Sequence, residues 1–169
     1  VSEREVACNV TTIVVRDSRI ALSQVARTFY DDPADELLNV GVTGTNGKTT
    51  TAFLTRVLLS RCGIPCGYLG TLGYSTDKTT KKIPNTTPEA DLLQACLRDF
   101  VADGMQAASL EVSSHGLALH RVDGISFNIA IGTNLTRDHL DFHGDFSAYC
   151  EAKAALFTGL SSGAYAVLN

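Results

Sequence analysis

Residues 41–51 read Gly-Val-Thr-Gly-Thr-Asn-Gly-Lys-Thr-Thr-Thr and follow the apolar run that begins at Asn39 and Val40. A glycine-rich turn placed between a strand and a helix start lets backbone N–H groups point at phosphate oxygens. Gly44, Thr45, Asn46, Gly47, Lys48, Thr49 and Thr50 are the candidate cradle, with Lys48 as a mobile cation and the Thr49 hydroxyl suited to Mg²⁺. The strict G-x-x-x-x-G-K-[ST] pattern calls for glycine at position 42, where this chain has Val42. A glycine turn chosen only for tight geometry is the plain alternative, but few such turns place Gly-Lys-Thr-Thr at a helix start. Three successive threonines also favour helix poorly, so helix stability does not explain them.

The motif demands strand, loop and helix in that order, and the remaining chain continues the alternation. Thr11–Val15 reads as a strand, followed by a helix capped by Asp17 or Ser18 whose Ile20, Val25, Ala26 and Phe29 recur near helical spacing. Asn39–Thr43 is the strand entering the loop, and Lys48–Leu59 a helix with Gly63 at its C-terminal cap. Cys66–Leu69 is the next strand, and Ser75–Lys82 a loop or short hairpin. Thr87-Pro88-Glu89 reads as a helix start with proline in the first helical position, running towards Gly104. Met105–Val112 and Phe127–Thr133 are strands without strict alternation, as befits a sheet covered on both faces. Phe146–Leu160 is the last helix and Tyr165–Leu168 the closing strand. The expected fold is α/β: a P-loop-type, doubly wound, mainly parallel sheet with helices on both faces and ligands at the carboxyl ends of the strands.

In 169 residues, one sizeable core can be buried, and a formal charge of −4 offers no support for a nucleic-acid or anionic-membrane partner. A polyanionic ligand therefore needs a local positive site such as Lys48. No apolar run approaches the roughly 18 residues needed to span a bilayer, and Val1–Glu5 lacks the layout of a signal peptide, so the cytoplasm is the expected compartment. Five cysteines form no C-x-x-C pair and read as reduced, mostly buried small hydrophobes. The start without methionine and the apolar stop at Ala166–Asn169 suggest a piece of something longer.

Four further places could carry chemistry. Glu111 ends the apolar run Ala107–Leu110, which places a carboxylate at the carboxyl edge of a strand; it is either a Mg²⁺ ligand beside Thr49 or an ordinary surface acid. The segment 134–143, Asn-Leu-Thr-Arg-Asp-His-Leu-Asp-Phe-His, is a solvated polar loop or a zinc site in which Asp138 or Asp141 completes His139 and His143. Lys153 by itself is a solvated helix lysine, while His120 and Arg121 either meet an anionic substrate or cover surface.

Taken together, the 41–51 loop, Asn85-Thr86-Thr87-Pro88, Glu111-Val112-Ser113-Ser114-His115-Gly116-Leu117, Asn134–Asp141 and Ala152-Lys153 strongly resemble the Mur ligases, within which the match is to the MurE type. That family uses a Thr-Gly-Thr-Asn-Gly-Lys-Thr variant of the phosphate loop, so Val42 becomes a family marker. The resemblance implies an ATP-dependent ligase of peptidoglycan precursor synthesis that adds meso-diaminopimelate or L-lysine to UDP-N-acetylmuramoyl-L-alanyl-D-glutamate. It implies catalytic roles for Lys48, Glu111, His139 and Lys153, a first Mg²⁺ at Thr49 and Glu111, and a second metal at His139. Lys153 matches the lysine carboxylated on its side-chain nitrogen, and Asn85, Thr86, Thr87, Ser113 and Arg121 match positions that bind the UDP-muramoyl dipeptide. Leu119 stands where many members carry a substrate-binding glutamine. By the same resemblance, residues 1–38 are the tail of an N-terminal UDP-binding domain and linker, 39–169 an incomplete ATP-binding central domain, and the C-terminal ligase domain is absent. The isolated chain is then expected to be monomeric, to bind nucleotide weakly and to ligate nothing. The rivals are a folylpolyglutamate synthase-like ligase and a non-catalytic nucleotide-binding module; Glu-Val-Ser-Ser-His at 111–115 and the run at Asn85 favour the MurE type.

Overall fold

A computed structural model describes residues 1–169. Five parallel strands form the body of one sheet: β1 (Leu38–Thr43), β2 (Cys66–Gly70), β5 (Ala107–Glu111), β6 (Ile129–Gly132) and β7 (Tyr165–Leu168). An antiparallel hairpin of β3 (Gly73–Ser75) and β4 (Thr80–Lys81) extends one edge, giving the order β4-β3-β2-β5-β1-β6-β7. The chain reverses its winding direction at β1, which lies between β5 and β6, and a crevice opens there at the carboxyl ends.

Alternate residues of each strand feed two layers. On one face Val40, Val42 and Tyr68 pack against Ala52 of α2 (Lys48–Arg61). On the other, Ala108 and Leu110 join Leu93, Leu97 and Phe100 of α3 (Ala90–Ala102) and Leu156 of α6 (Phe146–Thr158). The outermost layer is α1 (Ser18–Phe29), which lies on α3 and is capped by the Asp17 carboxylate on the N–H groups of Arg19 and Ile20. α2 closes in a Schellman arrangement: the Gly63 and Ile64 N–H groups bond back to Ser60 and Leu59 carbonyls, and Gly63 takes the left-handed conformation expected of it.

Several expectations need correction. Thr11–Val15 is not a strand; Val14 makes one isolated bridge with Ser2, and Ile13 and Val14 are exposed, so β-branched residues find no sheet to join. In α1 the buried residues are Ser23 and Ala26, whereas Val25 and Phe29 face outward. α3 begins at Ala90 with Glu89 as N-cap, so Pro88 precedes the helix. Thr87 explains the delay: its hydroxyl donates to the Glu111 carbonyl and its own carbonyl accepts from Arg121, which holds this segment away from helical pairing. All five cysteines are free thiols, but only Cys66 and Cys96 are buried, and Cys8 and Cys62 are exposed. Burial pushes the Cys66 thiol up to about 12 and Cys96 up to about 11, so neither is a ready nucleophile. Three single-turn elements escape periodicity because they are too short: a 3-10 turn at Pro33–Glu36, α4 (Ser114–Ala118) and α5 (Leu140–His143). No helix is long and apolar enough to cross a membrane.

Close packing of α3 on β2 depends on Gly67, because a Cβ there would meet the Phe100 ring at 2.4–2.6 Å. Gly67→Ala is expected to cost about 1–3 kcal/mol, the usual range for overpacking, and urea unfolding measures it. An unaltered midpoint would contradict this packing.

Candidate functional site

The phosphate loop follows β1 directly, and its shape comes from two glycines and from the loop after β6. Gly47 caps α2 at φ +84, and Gly44 sits at φ +146, where a Cβ would lie 1.9 Å from the Thr133 hydroxyl. Thr133 donates to the Asn46 carbonyl at 2.6 Å, while the Asn134 side chain accepts from Asn46 N–H and donates to its carbonyl, both at 3.0 Å. The Thr45 hydroxyl donates to the Thr136 carbonyl and accepts from Thr136 N–H. With that proton committed, Tyr149 of α6 is the donor in its 2.8 Å bond to Thr45.

Two lysines converge on this loop. Lys48 donates to the carbonyls of Gly44 and Thr45, and Lys153 of α6 donates to the same Gly44 carbonyl at 2.8 Å. Lys153 is 5% exposed and lies over the Tyr149 ring, so the reading of a solvated helix lysine is wrong. Its neighbours along α6 gave no sign of this, because the burial comes from the β1 loop. Desolvation, and after it the charge of Lys48, lower the Lys153 amine to about 8, with Asp138 opposing. Desolvation also lowers Lys48, against the pull of Glu111 and Asp138.

Beside the lysines stands a buried carboxylate. Glu111 ends β5 in register with Val42 and accepts from the Thr49 hydroxyl at 2.9 Å. It is 2% exposed, which overturns the alternative of a surface acid. Tyr68, in the middle of β2, and Thr71, just beyond its carboxyl end, also bond to it. Thr71 could have been anticipated from its place at a strand end, whereas Tyr68, within β2, reads from sequence as core.

A cleft of about 340 Å³ adjoins the loop; no hydrophobic residue lines it, and its lining includes Lys48, Lys153, Asn85, Thr86, Thr87, Ser113 and Arg121. Asn85 is held at φ 62, and the Ser113 N–H donates to Thr87. Arg121 donates to the Thr87 carbonyl and pairs with Glu89, leaving its buried Nε–H without a partner. A second cavity, about 600 Å³, continues past Arg121 along Leu22, Val25 and Leu119.

His139 lies at the cleft, packed edge-on against His115, with its Nε2 3.5 Å from the Asp138 carboxylate. His115, His139 and His143 crowd together with Phe142, and burial lowers the pKa of His115 and His143. No group of three His, Cys, Asp or Glu residues converges to hold a metal, so the zinc reading of Asp138, His139, Asp141 and His143 fails.

Residues 42–169 match the family model described as the Mur ligase middle domain. The chain belongs to the Mur ligases. This Mur ligase domain is 48% identical over 158 residues to the UDP-N-acetylmuramoyl-L-alanyl-D-glutamate--2,6-diaminopimelate ligase of Geobacter sulfurreducens, covering 94% of this chain and 31% of that protein. It is 44% identical to the corresponding L-lysine ligase of Staphylococcus aureus, covering 99% of this chain and 35% of the relative. A solved UDP-N-acetylmuramoyl-L-alanyl-D-glutamate--2,6-diaminopimelate ligase superposes with a TM-score of 0.83 at 38% identity, over 99% of this chain and 34% of that one. A Mycobacterium tuberculosis folylpolyglutamate synthase, complexed with ADP and AMPPCP, superposes at 0.70 with 19% identity over 89% of this chain and 41% of that one, a likeness of fold alone. The Mur ligase domain thus spans about a third of the length of the curated relatives it matches.

The Lys153 shift has a definite sign. Its folded value near 8 lies below the ordinary 10.5, so between these the unfolded chain binds more protons and stability rises with pH. Below about 8 the burial cost of the ammonium is fully present. Relative to Lys153→Met, the wild-type unfolding free energy is expected to rise from about pH 7 to about pH 10 in urea titrations. A constant difference would contradict the burial.

Proposed function

We propose that this domain is the nucleotide-binding middle part of an ATP-dependent amide ligase of the MurE type. The protein joins a diamino acid to the D-glutamyl carboxylate of UDP-N-acetylmuramoyl-L-alanyl-D-glutamate. The observation that carries this reading is the placement, at the carboxyl end of the sheet, of the phosphate loop, the Thr49–Glu111 pair and the two lysines beside a cleft lined by no hydrophobic residue. Relatives named as diaminopimelate and L-lysine ligases support the substrate class. Residues 1–38 are assigned to the end of a preceding UDP-binding domain and its linker; residues 39–169 form the ATP-binding part.

In this reading Gly44–Thr50 receive the ATP phosphates, with Lys48 on the β- and γ-phosphates. The substrate carboxylate takes the γ-phosphoryl group of ATP with ADP as the leaving group, and the amine of the diamino acid attacks the resulting acyl phosphate, forming the amide and releasing phosphate and a proton. Two anions must approach, so the protein's contribution is charge screening and alignment by N–H groups and lysines, without a protein nucleophile. The hydroxyl of Thr49 and the carboxylate of Glu111 are hard oxygen donors and fit Mg²⁺, which supplies charge neutralisation at the phosphates when bound. His139 is assigned to a second metal. Lys153, with an amine held near 8, has a larger neutral fraction near neutral pH than an ordinary lysine, as carboxylation by CO₂ requires. Thr86, Thr87, Asn85, Ser113 and Arg121 are assigned to the muramoyl dipeptide, and the partnerless Nε–H of Arg121 supports an acceptor there.

The test uses the protein expressed from the whole open reading frame that contains this chain. Phosphate release from ATP is expected to require both the UDP-muramoyl dipeptide and a diamino acid, and Lys48→Ala is expected to abolish ATP binding in calorimetry. ATP binding without release in the whole protein would favour a non-catalytic module, and unchanged affinity in Lys48→Ala would contradict the phosphate-loop assignment.

A further inference from the structure

Glu111 accepts four hydrogen bonds, divided between its two oxygens in chemically different ways. Oε1 accepts from the Tyr68 hydroxyl and from the backbone N–H of Thr71 at 2.9 Å. Oε2 accepts from the hydroxyls of Thr49 at 2.9 Å and Thr71 at 3.2 Å. The donors on Oε2 can rotate and turn a lone pair towards a cation, whereas the donors on Oε1 are fixed in place. One is main chain. The other belongs to a ring with no exposed surface, packed against Val40, Val42 and Ala52 and edge-on to Phe53 at 5.7 Å.

The direction of the Tyr68 bond is settled by its second partner. Leu72 N–H donates to the phenol oxygen at 3.3 Å, so the one phenolic proton is directed at Glu111. Burial, and after it the Glu111 carboxylate, raise the phenol's pKa, which keeps that proton in place. Gly70 makes room for the arrangement: a Cβ there would lie 2.2 Å from Glu111 Oε1 and 2.6 Å from the Tyr68 oxygen. Oε1 therefore keeps both of its donors, while Oε2, whose two donors are the rotatable hydroxyls of Thr49 and Thr71, is the oxygen free to meet a cation.

We propose that Tyr68 is a positioning residue that confines Glu111 to coordination through one oxygen, and so biases the cation site at Thr49 towards a small divalent ion over a large one. The inference rests on the nucleotide and cation reading of Thr49 and Glu111 given above. A large ion such as Ca²⁺ gathers six to eight oxygens and commonly takes carboxylates through both; Mg²⁺ keeps a near-octahedral shell that one carboxylate oxygen satisfies. Blocking Oε1 removes a ligand that only the larger ion uses. The Thr71 hydroxyl also lies 3.0 Å from that of Thr86, so the same clamp extends into the polar cleft.

The experiment compares ADP binding in Mg²⁺ and in Ca²⁺ by calorimetry, using the protein expressed from the whole open reading frame, with thermal melting as a check on folding. Tyr68→Phe keeps the ring and removes only the hydroxyl. It is expected to narrow the Mg²⁺-over-Ca²⁺ affinity ratio roughly tenfold, the worth of one hydrogen bond to a charged group. A fluorinated tyrosine installed at position 68, a stronger donor of the same shape, is expected to widen the ratio. An unchanged ratio in a folded Tyr68→Phe protein overturns the proposal. If that variant does not fold, the fluorotyrosine protein decides: a widened ratio supports the proposal, and an unchanged or narrowed one overturns it. Absence of any cation-dependent ADP binding by the wild-type whole protein overturns the nucleotide reading itself, and this inference with it.

Discussion

A loop can offer its backbone N–H groups to an anion only while other residues fix its shape, and that requirement organises the carboxyl end of this sheet. Gly44 to Gly47 are held by Thr133 and Asn134 after β6 and by Tyr149 and Lys153 of α6. The loop is thus a joint product of β1, β6 and α6. Strand order makes this possible, because β1 lies between β5 and β6 and both neighbours end at the same crevice.

The same crowding produces an electrostatic compromise in a chain of net negative charge. Two ammonium groups donate to the single Gly44 carbonyl, and desolvation and their mutual repulsion lower Lys153. Glu111, buried nearby, is compensated by four donors and adds a pull that favours the charged form of Lys48. A polyanion with a divalent cation meets this arrangement well, since it offers negative charge to both lysines and positive charge to the carboxylate.

The phosphate loop was legible in sequence because its parts are adjacent, and Glu111 because an acid after an apolar run must stand at a strand's carboxyl edge. The burial of Lys153 was not legible, and only the resemblance singled the residue out. Its alanine-flanked setting describes an exposed helix face, whereas its burial comes from Gly44, 109 residues away. Tyr68 and Tyr149 look like core aromatics, and only their hydroxyl partners, Glu111 and Thr45, give them a role. The misread strand at Thr11–Val15 and the early start given to α3 share one cause: tertiary contacts, or their absence, outweighed local preference.

The central claim is that the phosphate loop and Glu111 form one nucleotide and cation site. Paramagnetic broadening of backbone amide signals on titration with Mn²⁺ and ADP tests it most directly. The account expects broadening centred on Gly47–Thr49, Thr71 and Glu111. Broadening centred elsewhere, with the Gly44–Thr49 signals unaffected, would contradict it.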